Sequence, residues 1–340
     1  MTHRLAINFA DGKTVFASAR PGELLLDAAM RHGISLPVDC REGVCGTCRG
    51  RCDSGSYAMD YVDEETLSES DLAARAVLAC QTRVTSDAAF SFDIPSRLCQ
   101  VAAEAPRRAV VTGVERVSAE TVILSVQVAG PQLDFLPGQY ARLSAAGWTQ
   151  TRAYSFANRP NAENRLQFLI RLLPDGLMGR FLADECRPGL ELSLEAPFGS
   201  FFLRQVERPL VLAAGGTGLA AFLGMLEEMA DSTQPLPPIR LYYGVNRVDD
   251  LCAGDQLESL KEKLADFEFV TVITQPPEGY AGRRGYVTDH FDPGFFADRP
   301  ADIYVCGPPP MVDSVRGWLD RHAHPDHKLY FEKFLASGVG

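Results

Sequence analysis

The sequence predicts a multidomain protein: an α+β domain, then an antiparallel β-barrel domain, then an α/β domain with a doubly wound parallel sheet. Three observations carry this. Cys40, Cys45 and Cys48 crowd into one loop that also holds Gly43 and Gly46, with Cys80 downstream. Short runs rich in Val, Ile and Leu, separated by turn signals, recur from Ala109 to Ala196. After Pro209 the pattern changes to apolar strands alternating with helices, the mark of a parallel sheet covered on both faces.

Length and composition set the frame. At 340 residues the chain is long enough for two or three cores, and 46% hydrophobic with 23% charged residues is ordinary for a globular protein. A net charge of -11 argues against nucleic acid, because phosphate binding needs clustered Lys and Arg and no basic stripe occurs. No apolar run approaches the roughly 18 residues of a membrane span. The start alternates like a strand and turns at Asp11-Gly12, a hairpin signal and not a signal peptide. A cytoplasmic protein that does not use the membrane is expected.

The first domain is expected over residues 1–97. A hairpin from Leu5 to Phe16 precedes a helix from about Leu24 to His32, with Gly33 as its C′ residue. The cysteine loop follows. Its C-x4-C-x2-C spacing with a fourth cysteine downstream is the ligand pattern of a plant-type [2Fe-2S] ferredoxin, so Cys40, Cys45, Cys48 and Cys80 are the candidate metal ligands. Gly43 and Gly46 let backbone N–H groups turn towards an anionic cluster. Zinc wants two C-x2-C-type pairs and the downstream half offers only Cys80; a disulfide framework is out of place in a chain of this kind. Cys52 is the one rival ligand and reads as a half-buried strand residue. Cys99, Cys186 and Cys252 read as small apolar residues. Of the twelve residues from Asp60 to Asp71, six are carboxylates. They read either as a solvated helix start or as a docking surface for a partly basic electron acceptor.

Residues 98–105 read as a connector ending at Pro106. A barrel over 106–206 follows, with strands at Ala109–Val117, Thr121–Val128, Tyr140–Ser144, Leu166–Leu172 and Leu190–Ala196. Within it, Arg152-Ala153-Tyr154-Ser155 supplies a guanidinium for a phosphate, a ring for a planar ligand and a hydroxyl for a polar ring edge. Pro174-Asp175-Gly176-Leu177-Met178-Gly179 reads as a loop opening a helix, whose free N–H groups suit an anion.

The last domain, 207–340, starts with a buried strand at Leu210 and the turn Gly215-Gly216-Thr217-Gly218. That turn lies where doubly wound sheets bind nucleotides, and its glycines admit a pyrophosphate to a helix N-terminus. It is not the full G-x-G-x-x-G fingerprint. A helix over Ala220–Met229, strands at Ile239–Val245, Phe267–Ile273 and Ile303–Cys306, and a helix near Gln256–Leu264 complete the pattern. Cys306-Gly307-Pro308-Pro309-Pro310-Met311 forms a second turn after a strand, so two turns flank one crevice. His322, His324 and His327 read as a surface loop.

In this order, the cysteine loop, the R-x-Y-S barrel, the G-G-T-G sheet and the C-G-P-P-P-M turn resemble the reductase components of bacterial aromatic-ring dioxygenases. These are ferredoxin-NADP reductase-like flavoproteins with an N-terminal plant-type ferredoxin (β-grasp) domain. Within them the chain is most similar to the electron-transfer components acting with anthranilate or benzoate 1,2-dioxygenase, anthranilate favoured, on the segments Ala10 to Thr14, Tyr61 to Glu65, Leu136 to Leu143, Ser155 to Pro160 and Leu241 to Asn246. The resemblance implies three cofactors: a [2Fe-2S] cluster, FAD and NADH. It implies that Arg152, Ala153, Tyr154, Ser155, Leu169, Ile170, Arg171, Gly176, Met178 and Gly179 hold the flavin. It implies that Gly215, Gly216, Thr217, Gly218, Cys306, Gly307 and Pro308 hold NADH, with Ser155 and Cys306 nearest the chemistry, and that Phe331 and Phe334 lie near the flavin. Relatives usually have Ser where Gly179 stands and often Pro where Ala221 stands.

A nicotinamide delivers two electrons together and a [2Fe-2S] cluster accepts one, so flavin must stand between them. The expected route is NADH to FAD to the cluster, and on to an oxygenase component carrying a Rieske cluster and mononuclear iron, with the chain itself a monomer. Arg247, after the second strand of the last sheet, would suit a 2′-phosphate, while Asp249 and Asp250 push the other way. The rivals are a reductase for a di-iron monooxygenase and a passive electron carrier that has lost nucleotide binding.

Overall fold

The structure, a computed structural model, describes residues 2–10, 14–99, 106–133, 135–173, 176–199, 201–204, 206–297, 299–323 and 325–334. The chain divides into two compact units, Met1–Ala105 and Pro106–Gly340.

In the first unit, β1 (His3–Phe9) pairs antiparallel with β2 (Thr14–Ala19), as expected of a hairpin, while the turn at Asp11-Gly12 lies outside the described residues. Leu5, Ile7 and Phe9 alternate inwards. The helix α1 (Leu25–Arg31) buries Leu25, Leu26, Ala28 and Ala29, and Gly33 leaves it at φ +75°, a conformation that favours glycine. After the cysteine loop come β3 (Arg49–Ser54), β4 (Tyr57–Met59), α2 (Glu69–Ala73), β5 (Ala76–Leu78), β6 (Thr82–Val84) and β7 (Ala88–Phe92). Among the described residues, one sheet has the order β2-β1-β7-β3-β5 and β4 pairs with β6. β7 runs parallel to β1 and antiparallel to β3, which makes the sheet mixed, as in a β-grasp domain. The acidic stretch is mostly turns. Only its end is helical, where Ser68 caps α2 in a reciprocal box with Asp71. Cys99 is fully buried and its carbonyl accepts the Ser35 N–H, so packing in this unit continues through 99; residues 100–105 of the expected connector lie outside the described residues.

The second unit opens with β8 (Arg107–Arg116), β9 (Thr121–Val128), β10 (Tyr140–Ala145), β11 (Arg152–Ser155), β12 (Arg165–Arg171), α3 (Leu177–Arg180) and β13 (Glu191–Phe198). The antiparallel sheet runs β11-β10-β13-β8-β9-β12, and a bridge between Phe156 and Phe168 joins its two ends, closing the barrel. Its core holds Leu124, Leu143, Phe156, Phe168 and Leu194. Then β14 (Leu210–Gly215), α4 (Leu219–Ala230), β15 (Ile239–Val245), α5 (Gly254–Lys263), β16 (Phe267–Ile273), β17 (Arg283–Arg284), α6 (Pro293–Ala297), β18 (Asp302–Gly307), α7 (Pro309–His322) and β19 (Lys328–Lys333) build a parallel sheet of order β17-β16-β15-β14-β18-β19. Leu210, Leu212 and Ala214 of β14 pack with α4 and α5, whereas Val211 and Ala213 pack with α7. Burial on both faces explains why this strand reads as an unbroken apolar run. His322 ends α7 and lies 4.7 Å from the Trp318 ring, so it belongs to that helix and not to a surface loop; His324 lies outside the described residues.

Candidate functional site

The cysteine loop leaves α1 and returns into β3. The chain brings its four cysteines together as two pairs, Cys40 Sγ 3.1 Å from Cys45 Sγ and Cys48 Sγ 3.3 Å from Cys80 Sγ. Among the described residues, no three His, Cys, Asp or Glu side chains surround a single point where an ion would sit. Two pairs suit a two-iron cluster with two thiolates per iron and do not suit one tetrahedral zinc. Backbone donors already aim at this sulfur set: the Glu42 N–H reaches Cys40 Sγ at 3.4 Å. Within each pair one thiol donates to the other. The close Cys45 sulfur lowers the Cys40 thiol below its ordinary value, and the close Cys48 sulfur lowers Cys80. Their partners Cys45 and Cys48 are pushed up by the same contacts and by burial. Cys52 is buried in β3, where the Arg75 guanidinium donates to its Sγ at 3.1 Å, away from both pairs.

The barrel contributes β11, the end of β12 and α3. The Arg152 guanidinium is held at 3.0 Å by both the Gln150 side chain and the Thr151 carbonyl. Tyr154 packs on the barrel core, and burial raises its phenol above the ordinary value. Leu169 and Ile170 are buried, and Arg171 is engaged by Glu120 at 2.8 Å. Gly176 begins α3 with no side-chain cap, leaving first-turn N–H groups for an acceptor, while Pro174 and Asp175 lie outside the described residues. A Cβ on Gly179 would stand 2.7 Å from the Leu173 carbonyl oxygen. The residue is glycine here because the 172–173 segment presses on the helix, so a serine would have to push that segment away. An uncapped helix start, a ring against the barrel and a guanidinium on β11 fit FAD, whose phosphates and flat ring need those groups.

At the carboxyl ends of β14 and β18 the two turns touch each other. A Cβ on Gly218 would run into the Cys306 carbonyl oxygen, and one on Gly215 would stand 2.7 Å from Met311 Sδ and 2.8 Å from Pro308 Cδ. These glycines therefore admit the neighbouring turn. Gly216, at φ +54° with open space around its Cβ direction, is the one left facing outwards with Thr217 before α4. Pro309 and Pro310 occupy the first positions of α7, where a missing N–H is harmless. This crevice, lined by backbone at helix N-termini, fits a dinucleotide.

The sequence reading missed one residue here. Cys306 pairs with Glu332 across β18 and β19, and the Glu332 carboxylate lies 3.5 Å from Ser155 Oγ and 3.9 Å from Cys306 Sγ. Cys306 is fully buried, and burial first, then Glu332, pushes its thiol up, so it stays protonated. Phe334 shares the Glu332 face, but Phe331 packs on the opposite one, with the Arg316 guanidinium 4.9 Å over its ring. Strand alternation was the signal that would have found Glu332: the segment was read for its aromatics and not as a strand.

Three family matches follow the same order along the chain. Residues 8–85 match a 2Fe-2S iron-sulfur cluster binding domain, 108–203 an oxidoreductase FAD-binding domain and 212–317 an oxidoreductase NAD-binding domain. The chain is 52% identical to the anthranilate 1,2-dioxygenase electron transfer component of Acinetobacter baylyi, covering 100% of this chain and 99% of that protein. It is 41% identical to the toluate 1,2-dioxygenase electron transfer component of Pseudomonas putida, covering 99% and 100%. Among solved structures it resembles a cytochrome P450 reductase of Amycolatopsis at 29% identity and a TM-score of 0.72, over 98% of this chain and 100% of that one. No helix among the described residues is long and apolar enough to cross a membrane.

Proposed function

Because the chain belongs to the family of iron-sulfur flavoprotein electron transfer components, an NADH oxidoreductase with [2Fe-2S], FAD and NAD-binding domains, we propose that its acceptor is the Rieske centre of an oxygenase component that also carries mononuclear iron. Anthranilate 1,2-dioxygenase is the favoured partner and benzoate 1,2-dioxygenase the next, and the chain works in the cytoplasm as a monomer. The observation that carries this is the joining, in one chain, of two facing cysteine pairs with a crevice where Ser155, Cys306 and Glu332 meet. A passive carrier needs only the first of these.

FAD, when bound, takes electrons as a pair and passes them on singly. In this reading residues 1–97 carry the cluster on Cys40, Cys45, Cys48 and Cys80, 98–105 connect, 106–206 hold the flavin and 207–340 hold NADH. Arg152 would meet the flavin phosphate, and Tyr154 and Ser155 would hold its ring. Gly176, Met178 and Gly179 offer backbone N–H groups. Gly215 to Gly218 would hold the NADH pyrophosphate, and Cys306 to Pro308 would lie by its nicotinamide. Cys306, buried and protonated, excludes water there, and Glu332 orients the Ser155 hydroxyl.

Mixing the purified chain with the anthranilate oxygenase component and NADH tests the partner. Anthranilate-dependent oxygen uptake, larger than with a benzoate oxygenase, is expected. NADH-driven cytochrome c reduction with neither oxygenase responding would overturn the partner while keeping the reductase. Failure of NADH to reduce cytochrome c at all would leave only the carrier.

A further inference from the structure

The loop after β15 stands where a doubly wound sheet meets the adenosine ribose, and a carboxylate there suits a 2′-hydroxyl whereas an arginine suits a 2′-phosphate. Arg247 occupies that loop, so on its own it would favour NADPH. It is not on its own. Glu120, from the turn between β8 and β9 in the barrel, places Oε1 2.6 Å from Arg247 Nη2, while Asp250 Oδ1 approaches the same nitrogen at 3.6 Å. The other Glu120 oxygen takes Arg171 at 2.8 Å.

Backbone contacts hold this turn in place. The Ala119 N–H donates to the Asp249 carbonyl at 3.0 Å, and the Leu172 N–H donates to the Glu120 carbonyl at 2.7 Å. Glu120 is thereby fixed between the end of β12 and the loop after β15, which a freely moving surface pair would not be. Hydrogen bonds from Arg171 and then Arg247 hold its carboxyl below the usual range, so it is ionised at neutral pH.

We propose that Glu120 sets coenzyme choice: it occupies the Arg247 guanidinium, withholds it from a 2′-phosphate, and so makes the crevice prefer NADH to NADPH. This rests on the reading of the crevice as the nicotinamide coenzyme site. Glu120 acts through Arg247 and is a positioning residue. The ribose-facing selectivity then comes from the barrel as well as from the nucleotide domain.

The test compares the full, cofactor-loaded chain with Glu120→Gln, Arg247→Gln and the double variant. Two readouts are used: the ratio of kcat/KM for NADPH to that for NADH in cytochrome c reduction, and calorimetric affinity for adenosine 2′,5′-bisphosphate against adenosine 5′-monophosphate. Glu120→Gln should raise the ratio about tenfold, the size of one charge-assisted contact, mainly through the NADPH KM. It should tighten the bisphosphate selectively, and Arg247→Gln added to it should cancel both gains. A ratio within about twofold of wild type in Glu120→Gln, or a gain that survives in the double variant, would overturn the proposal while leaving the NADH site intact. Wild-type chain that binds neither adenosine compound would instead remove the crevice reading, and this inference with it.

Discussion

The cysteine loop and the nucleotide crevice are two ways of building a site. In the loop, side chains close in sequence define the chemistry, with Cys40, Cys45 and Cys48 in one turn of chain and Cys80 meeting Cys48 directly. In the crevice the backbone does most of the work, and contact is made between segments far apart: Gly218 against Cys306, and Glu332 beside Ser155. A site made of reactive side chains announces itself by spacing. One made of close approach depends on strand register, which local sequence does not carry.

The comparison breaks most sharply at the cysteines. Cys48→Ala should abolish the iron-sulfur absorbance while NADH still bleaches the flavin band, because the two sites lie in different compact units. An intact iron-sulfur spectrum in that variant would disprove the ligand set. In the crevice a single change should act through packing. Gly218→Ala, which drives a Cβ into the Cys306 carbonyl, should lower stability by about 1–3 kcal/mol. Gly216→Ala, with open space and only a positive φ against it, should lower it by about 1 kcal/mol. Thermal melts that rank the two the other way would refute the turn-against-turn packing.

Glu332→Gln keeps the shape and removes the charge facing Ser155 and Cys306. NADH-driven flavin reduction should slow by about tenfold, the equivalent of roughly 1.4 kcal/mol. Stopped-flow traces unchanged from wild type would mean that the carboxylate is a bystander.

The smallest effect belongs to the first unit. The hydrogen bond from Arg31 lowers Glu23 from 4.5 to about 2. A carboxyl lowered in the folded state adds stability above its unfolded pKa, and that stability is lost as pH falls from about 4.5 towards 2. The pair lies near the surface, so Glu23→Gln should remove under about 1 kcal/mol at neutral pH. Acid-unfolding curves of the two proteins should converge near pH 2.

Much of this molecule was legible in its sequence. β9, β15 and β16 fall on the runs read as strands, because periodicity and β-branched content mark them. β11 is not among the strands read from the sequence, since four residues are too few to show a period. For Gly179, where relatives usually have Ser, the structure gives a steric reason, the pressure of Leu173, that only tertiary packing could reveal. Glu120 and Glu332 escaped notice because an isolated Glu has no signature until a distant Arg or Cys is set beside it.

β19 is an edge strand, hydrogen-bonded to β18 alone among the described strands. Its register is an alignment device: one residue of slippage would exchange the carboxylate at Cys306 for an aromatic ring or an ammonium group, and every other side chain would change face with it. The Phe334 N–H, bonded to the Gly307 carbonyl at 2.8 Å, acts as the pin in that alignment. An insertion or deletion inside β19 ahead of Glu332 would therefore move the carboxylate away from Cys306 and Ser155.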